Sequence, residues 1–158
     1  MKLSKHFTLS EFTKSQTAQR KGIANTPNSG EIEAMRLLCE KVLEPVRKHF
    51  GKPVVLSSGF RCAKLNSAIG GSKTSQHRKG EAADFEIPGL SNYDVAEWIW
   101  HNLNYDQLIL EFHTAGDPNS GWIHVSYREP YRNQELTALR QRNAAGIMRT
   151  VYKTGLLK

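Results

Sequence analysis

The chain of 158 residues is poor in cysteine, in acid and in long apolar runs, and each shortage removes a class of protein. Two cysteines, Cys39 and Cys62, are too few for a disulfide framework. Cys39 falls on the apolar stripe of an expected helix and Cys62 in a turn, so reduced thiols are expected. No segment reaches the roughly 20 apolar residues of a membrane span. The opening Met1-Lys2-Leu3-Ser4-Lys5-His6-Phe7 lacks the apolar run of a signal peptide, so synthesis is expected in the cytoplasm, with release by another agent. Repeats and low-complexity tracts are also missing. Acid is in deficit: 15 Asp and Glu face 22 Lys and Arg, for a net charge of +7. Expected helices carry much of the excess, with Lys14, Arg20 and Lys21 in one and Arg36, Lys41, Arg47 and Lys48 in another. Such charge suits a polyanionic partner. With no basic–aromatic stripe and no nucleic-acid module, nucleic acid is not the expected one.

The pattern along the chain predicts one α+β domain spanning residues 1–158, helices first and strands later. Thr8-Leu9-Ser10-Glu11 has the form of a capping box, opening a helix that ends near Gly22. Glu31 to Phe50 reads as a long amphipathic helix, with Ile32, Met35, Leu38, Val42, Val46 and Phe50 inward and Pro45 as a kink or split. A strand at Val54–Ser57, a short helix from Cys62 to Ile69 and a helix from Ser91 to Leu103 follow. The C-terminal part reads as a weak helical stretch from Asn133, then a late strand at Ile147–Tyr152.

What the chain does hold is the run Ser75-Gln76-His77-Arg78-Lys79-Gly80-Glu81-Ala82-Ala83-Asp84, of form S-x-H-x-x-G-x-A-x-D. Downstream comes Trp122-Ile123-His124-Val125-Ser126. His77, Asp84 and His124 make a three-ligand zinc set that leaves a fourth position for water. An open position belongs to a catalytic site and points to metal-assisted hydrolysis. Gly80 allows a sharp turn or close approach to another backbone, and Ala82 and Ala83 are small enough for a crowded site.

Three runs alternate with period two. In Ala82–Ile87, Ala83, Phe85 and Ile87 oppose Ala82, Asp84 and Glu86. In Asp106–His113, Leu108, Leu110 and Phe112 oppose Gln107, Ile109, Glu111 and His113. In Trp122–Tyr127, Ile123, Val125 and Tyr127 oppose Trp122, His124 and Ser126. If these strands share a sheet, the apolar faces pack on helices and Asp84, Glu111 and His124 converge on one cleft. His6, His49 and His101 read as packing or surface residues; His113 lies at a loop edge and is ambiguous.

Together, Ser58-Gly59-Phe60-Arg61, the S-x-H-x-x-G-x-A-x-D run and Trp122-Ile123-His124-Val125 resemble the M15 peptidases, zinc D-Ala-D-Ala carboxypeptidases and murein endopeptidases. Phe7-Thr8-Leu9-Ser10-Glu11-Phe12 and Gln107-Leu108-Ile109-Leu110-Glu111-Phe112 resemble the phage endolysin subgroup. The resemblance implies Zn²⁺ on His77, Asp84 and His124, and bacterial peptidoglycan as substrate. It implies that Arg61 steadies the polarised carbonyl or a substrate carboxylate, and that Ser75 and Gln76 line the site. Many members of that family place the general base three residues before the last histidine, where this chain has Gly121. Glu111 is therefore the expected base, with Glu86 in reserve and Asp117 behind it. A monomer acting on the host wall after release, or from a virion, is the expectation. A D,D-carboxypeptidase and a non-catalytic zinc-bearing wall-binding or virion module stand as the alternatives.

Overall fold

A computed structural model describes residues 1–158. The capping box at Thr8 is formed: Thr8 N donates to Glu11 Oε2 at 2.7 Å and Glu11 N to Thr8 Oγ1 at 3.4 Å. The helix it opens, α1 (Leu9–Thr13), is shorter than expected. Ser15 adopts an extended backbone and accepts from Ala18 N at 3.1 Å, which starts a separate helix α2 (Gln16–Lys21). A serine hydroxyl that captures a backbone N–H competes with continuation of the helix before it.

The long amphipathic segment starts two residues earlier than expected. Asn28 caps it by accepting from Glu31 N at 2.8 Å, while Asn28 N donates to Glu31 Oε1 at 2.9 Å. Pro45 splits it, as expected, without ending it. Helix α3 (Ser29–Leu38) runs through one π turn at Cys39–Leu43 into α4 (Glu44–Phe50). Proline has no N–H to offer, and the wider π turn absorbs the lost bond. Met35, Leu38, Val42 and Val46 on this rod are fully buried.

Downstream come β1 (Val55–Ser58), α5 (Ala63–Ala68), β2 (Ala82–Glu86), α6 (Asn92–Asn102), β3 (Gln107–Glu111) and β4 (Trp122–Ser126). The expected helix after Asn133 is instead a strand, β5 (Gln134–Arg142), paired with β6 (Met148–Thr154). Gln, Glu, Leu, Ala and Arg are good helix formers, but parallel pairing with β3 and burial of Thr137 and Ala138 override that local preference. The six strands form one sheet in the order β1-β2-β4-β3-β5-β6, antiparallel at every pairing except β3 with β5.

One face of the sheet carries Ala83, Phe85, Leu108, Ile123 and Val125 into a core shared with the helices. The other face is the cleft. Asp84 pairs across to His124, and His124 to Ile109, so these three residues sit side by side on adjacent strands. Phe112 departs from the expected alternation. Its backbone is left-handed (φ 56°), and its ring lies 5.4 Å from that of Trp122 with the Arg140 guanidinium 4.7 Å above it, instead of joining Leu108 and Leu110 on the helix side.

Candidate metal centre and its cleft

His77 stands on a single 3₁₀ turn, Gln76–Lys79, between β1 and β2. Ser75 Oγ caps the turn at His77 N, 3.3 Å away. Gly80 closes it in the left-handed region (φ 74°), where a Cβ would lie 2.4 Å from the Glu31 carbonyl oxygen. Both uses expected of Gly80, a turn and a close backbone approach, therefore apply at once.

The His77 ring is buried, and its Nδ1 lies 2.7 Å from the Gly59 carbonyl oxygen. That oxygen only accepts, so Nδ1 carries the proton and Nε2 presents a lone pair. Nε2 lies 3.4 Å from Asp84 Oδ1, and His124 Nδ1 lies 2.9 Å from the same oxygen. Donor atoms of His77, Asp84 and His124 all lie within 4.8 Å of one another. Burial pushes the His77 imidazole below its ordinary pKa, against the charge of Asp84, which keeps the ring neutral as a ligand must be. Burial alone would raise Asp84, but His77 and His124 outweigh it and hold the carboxyl well below its usual range. Two neutral-capable imidazoles and one carboxylate, with one ring already oriented by a carbonyl, are donors that fit a divalent metal ion, zinc among them.

These residues line a cleft of about 700 Å³. Arg61, Ser75, Gln76 and Glu111 line it too, so every residue expected at the site faces one cavity. Arg61 Nη2 donates to Ser75 Oγ at 3.3 Å, and its buried Nε has no partner within the protein. Gln76 donates from Nε2 to Asp106 Oδ2 at 2.8 Å. Glu111 comes from the end of β3; burial, aided by the charge of Asp84 and opposed by His124, raises its carboxyl to about 7.

The reserve carboxylates lie elsewhere. Glu86 accepts from Asn92 Nδ2 at 3.2 Å, and Asp117 lies in the β3–β4 loop; neither lines the cleft. His113 packs beside Tyr93, with ring centroids 6.4 Å apart, and stays outside. His6 pairs with Glu44 at 2.7 Å, His49 stacks on Trp98 and His101 on Trp100. Gly121 has φ 67°, and a Cβ there would come within 1.9 Å of the Glu111 carbonyl oxygen. No side chain fits at the position where the resembling peptidases place their base.

Sequence reasoning missed several cleft residues: Lys79, Arg128, Arg132, Leu136 and Tyr152. Period two would have found Leu136 had β5 been read as a strand; the late strand expected at Ile147–Tyr152 held Tyr152, but its face was not assigned. Arg128 and Arg132 lie in an irregular segment with no local signal. The Gly59 carbonyl that orients His77 is a backbone group and has no signature in side-chain chemistry.

A family model described as Peptidase M15 matches residues 5–126. The chain belongs to the M15 peptidase family. No curated protein matches it. The matched span contains His77, Asp84, Glu111 and His124, and leaves β5, β6, Arg128 and Arg132 outside. No helix is long and apolar enough to cross a membrane.

Proposed function

We propose that this M15 peptidase is zinc-dependent and hydrolyses peptide bonds in the stems of bacterial peptidoglycan, as a lytic endopeptidase of the phage type. The observation that carries the reading is the convergence of His77, Asp84 and His124 beside Glu111 and Arg61 in one open cleft. Zinc, held by His77 Nε2, an Asp84 carboxylate oxygen and His124 Nδ1, would supply a Lewis acid and an activated water.

The protein's own groups divide the remaining work. Glu111 takes a proton at its carboxylate from the attacking water and returns it to the leaving amine. Burial raises this carboxyl to about 7 in the metal-free protein, and a bound cation would bring it below that, into a range that serves both transfers near neutral pH. Arg61, with an unpartnered buried Nε, steadies the oxygen on which charge develops. Ser75 holds Arg61 in place. Gln76 ties the ligand turn to the start of β3 through Asp106. A net charge of +7 favours approach to an anionic wall polymer. The protein would act as a monomer once released to the wall, or from a virion.

Purified protein incubated on peptidoglycan with zinc or with chelator, with products identified by mass spectrometry, tests the reading. Zinc-dependent release of a peptide cut within the stem is expected. Release of single terminal D-alanine would establish the carboxypeptidase instead. Binding to the wall without any cleavage would establish the non-catalytic module.

A further inference from the structure

Behind the wall of the cleft lies a carboxylate with more cations around it than it needs. Asp106 is fully buried. Its Oδ1 accepts from Arg132 Nε at 2.8 Å and from Arg132 N at 3.1 Å. Its Oδ2 accepts from Arg132 Nη2 at 2.7 Å and from Gln76 Nε2 at 2.8 Å, and Arg128 Nε approaches at 3.3 Å. One negative charge thus anchors two guanidinium groups, leaving one positive charge unbalanced. The anchoring edges face Asp106; Arg132 Nη1 and both Nη groups of Arg128 make no hydrogen bond within the chain. The two side chains are 43% and 46% exposed, and both line the cleft that holds His77, Asp84 and His124. The acids of that cleft, Asp84 and Glu111, are the ones the peptidase reading gives to the metal and to proton transfer. A guanidinium fixed along one edge and open along the other is arranged for a second carboxylate.

We propose that Arg128 and Arg132 form a carboxylate-binding subsite of the cleft, which selects stem peptides bearing a free carboxylate away from the bond that is cut. It rests on the peptidase reading for its place in catalysis but not for its binding. Both arginines lie beyond the matched span of residues 5–126, in the C-terminal part of the chain. The carboxylate can come from the end of the stem or from its glutamate residue.

The test uses four synthetic stem peptides: the free acid, the terminal amide, the glutamate amide and the double amide. Their affinities for the full chain are measured by calorimetry, with zinc and after chelation. One amidation should weaken binding about tenfold or more, the scale of a charge-assisted hydrogen-bond pair, and which one does so names the source. Arg128→Gln should bring the free acid down to the affinity of that amide, whereas Lys48→Gln, on α4 away from the cleft, should keep the preference. Equal affinity of the wild type for all four peptides would overturn the proposal, as would a preference that survives Arg128→Gln. The wild-type comparison decides alone if the variant does not fold. Cleavage of peptidoglycan without carboxylate preference leaves the peptidase and removes the subsite; preference in both metal states without cleavage does the reverse.

Discussion

Glu111 is the residue on which most depends. Its carboxyl stands at about 7 in the metal-free fold against an ordinary 4.5, chiefly because burial disfavours the charge. As pH rises from 4.5 to about 7, the unfolded chain releases this proton before the folded one does, so stability falls across that window and then levels. Glu111→Gln removes the loss. In chelated protein its stability gain over wild type should be near zero at about pH 4 and about 2 kcal/mol at about pH 8, after allowance for solvent screening. Urea unfolding at the two pH values checks this, and an equal gain at both would refute it. In the zinc-loaded enzyme the added positive charge lowers the same carboxyl, so the acid limb of kcat/KM should lie below 7. The same variant should lose about 10²–10⁴-fold in kcat while keeping its zinc, measured on a defined muropeptide. Retained activity would move the base to another group.

Among the elements, the β3–β4 connection decides where a carboxylate can stand. Gly121 is left-handed and meets the Glu111 carbonyl, so its missing side chain reflects the packing of that connection against β3. Gly121→Ala should cost about 3 kcal/mol or more, from the strained backbone and the displaced strand together. Gly146 at the β5–β6 turn is equally left-handed (φ 78°) but has nothing within 4 Å of its Cβ position. Gly146→Ala should cost only about 1 kcal/mol. Denaturant unfolding of the pair separates close approach from backbone strain. The helices illustrate the converse: Thr8 and Glu11 announce the start of α1 in sequence, and the capping box forms as those residue types require.

At the scale of the molecule, the apolar core and the metal cleft lie on opposite faces of one sheet. The 22-residue hydrophobic cluster packs Ala83, Phe85, Leu108, Ile123 and Val125 of the sheet on the helices, on the face opposite Asp84 and His124. Folding should therefore survive loss of the metal. Zinc at 100 times its dissociation constant should add about 2.7 kcal/mol by mass action, seen as a higher Tm that chelator reverses. His77→Ala should keep native circular dichroism and lose that response. A chelated protein without native signal would show the metal to be structural.

The residues that alternate and cap were legible from the chain alone. Asp84, Glu111 and His124 could be placed on one face because period two admits a single register once the opposite face must be buried. His77 could be named because its turn needs Gly80 at a fixed distance from the small residues that follow. The new cap at Ser15 was not legible, since whether a hydroxyl recaps a helix depends on the neighbours the segment packs against. β5 was misread because its residues favour a helix and only the exposed edge of β3 makes a strand of them. The amino-acid sequence by itself determined the buried face and which residues, His77, Asp84, Glu111 and His124, would share one cleft, because period two and a short motif place them. Only the tertiary structure decided the far wall of the cleft, because Asp106, Arg128, Arg132 and Gln76 are brought together by pairings between segments that carry no period linking one to another.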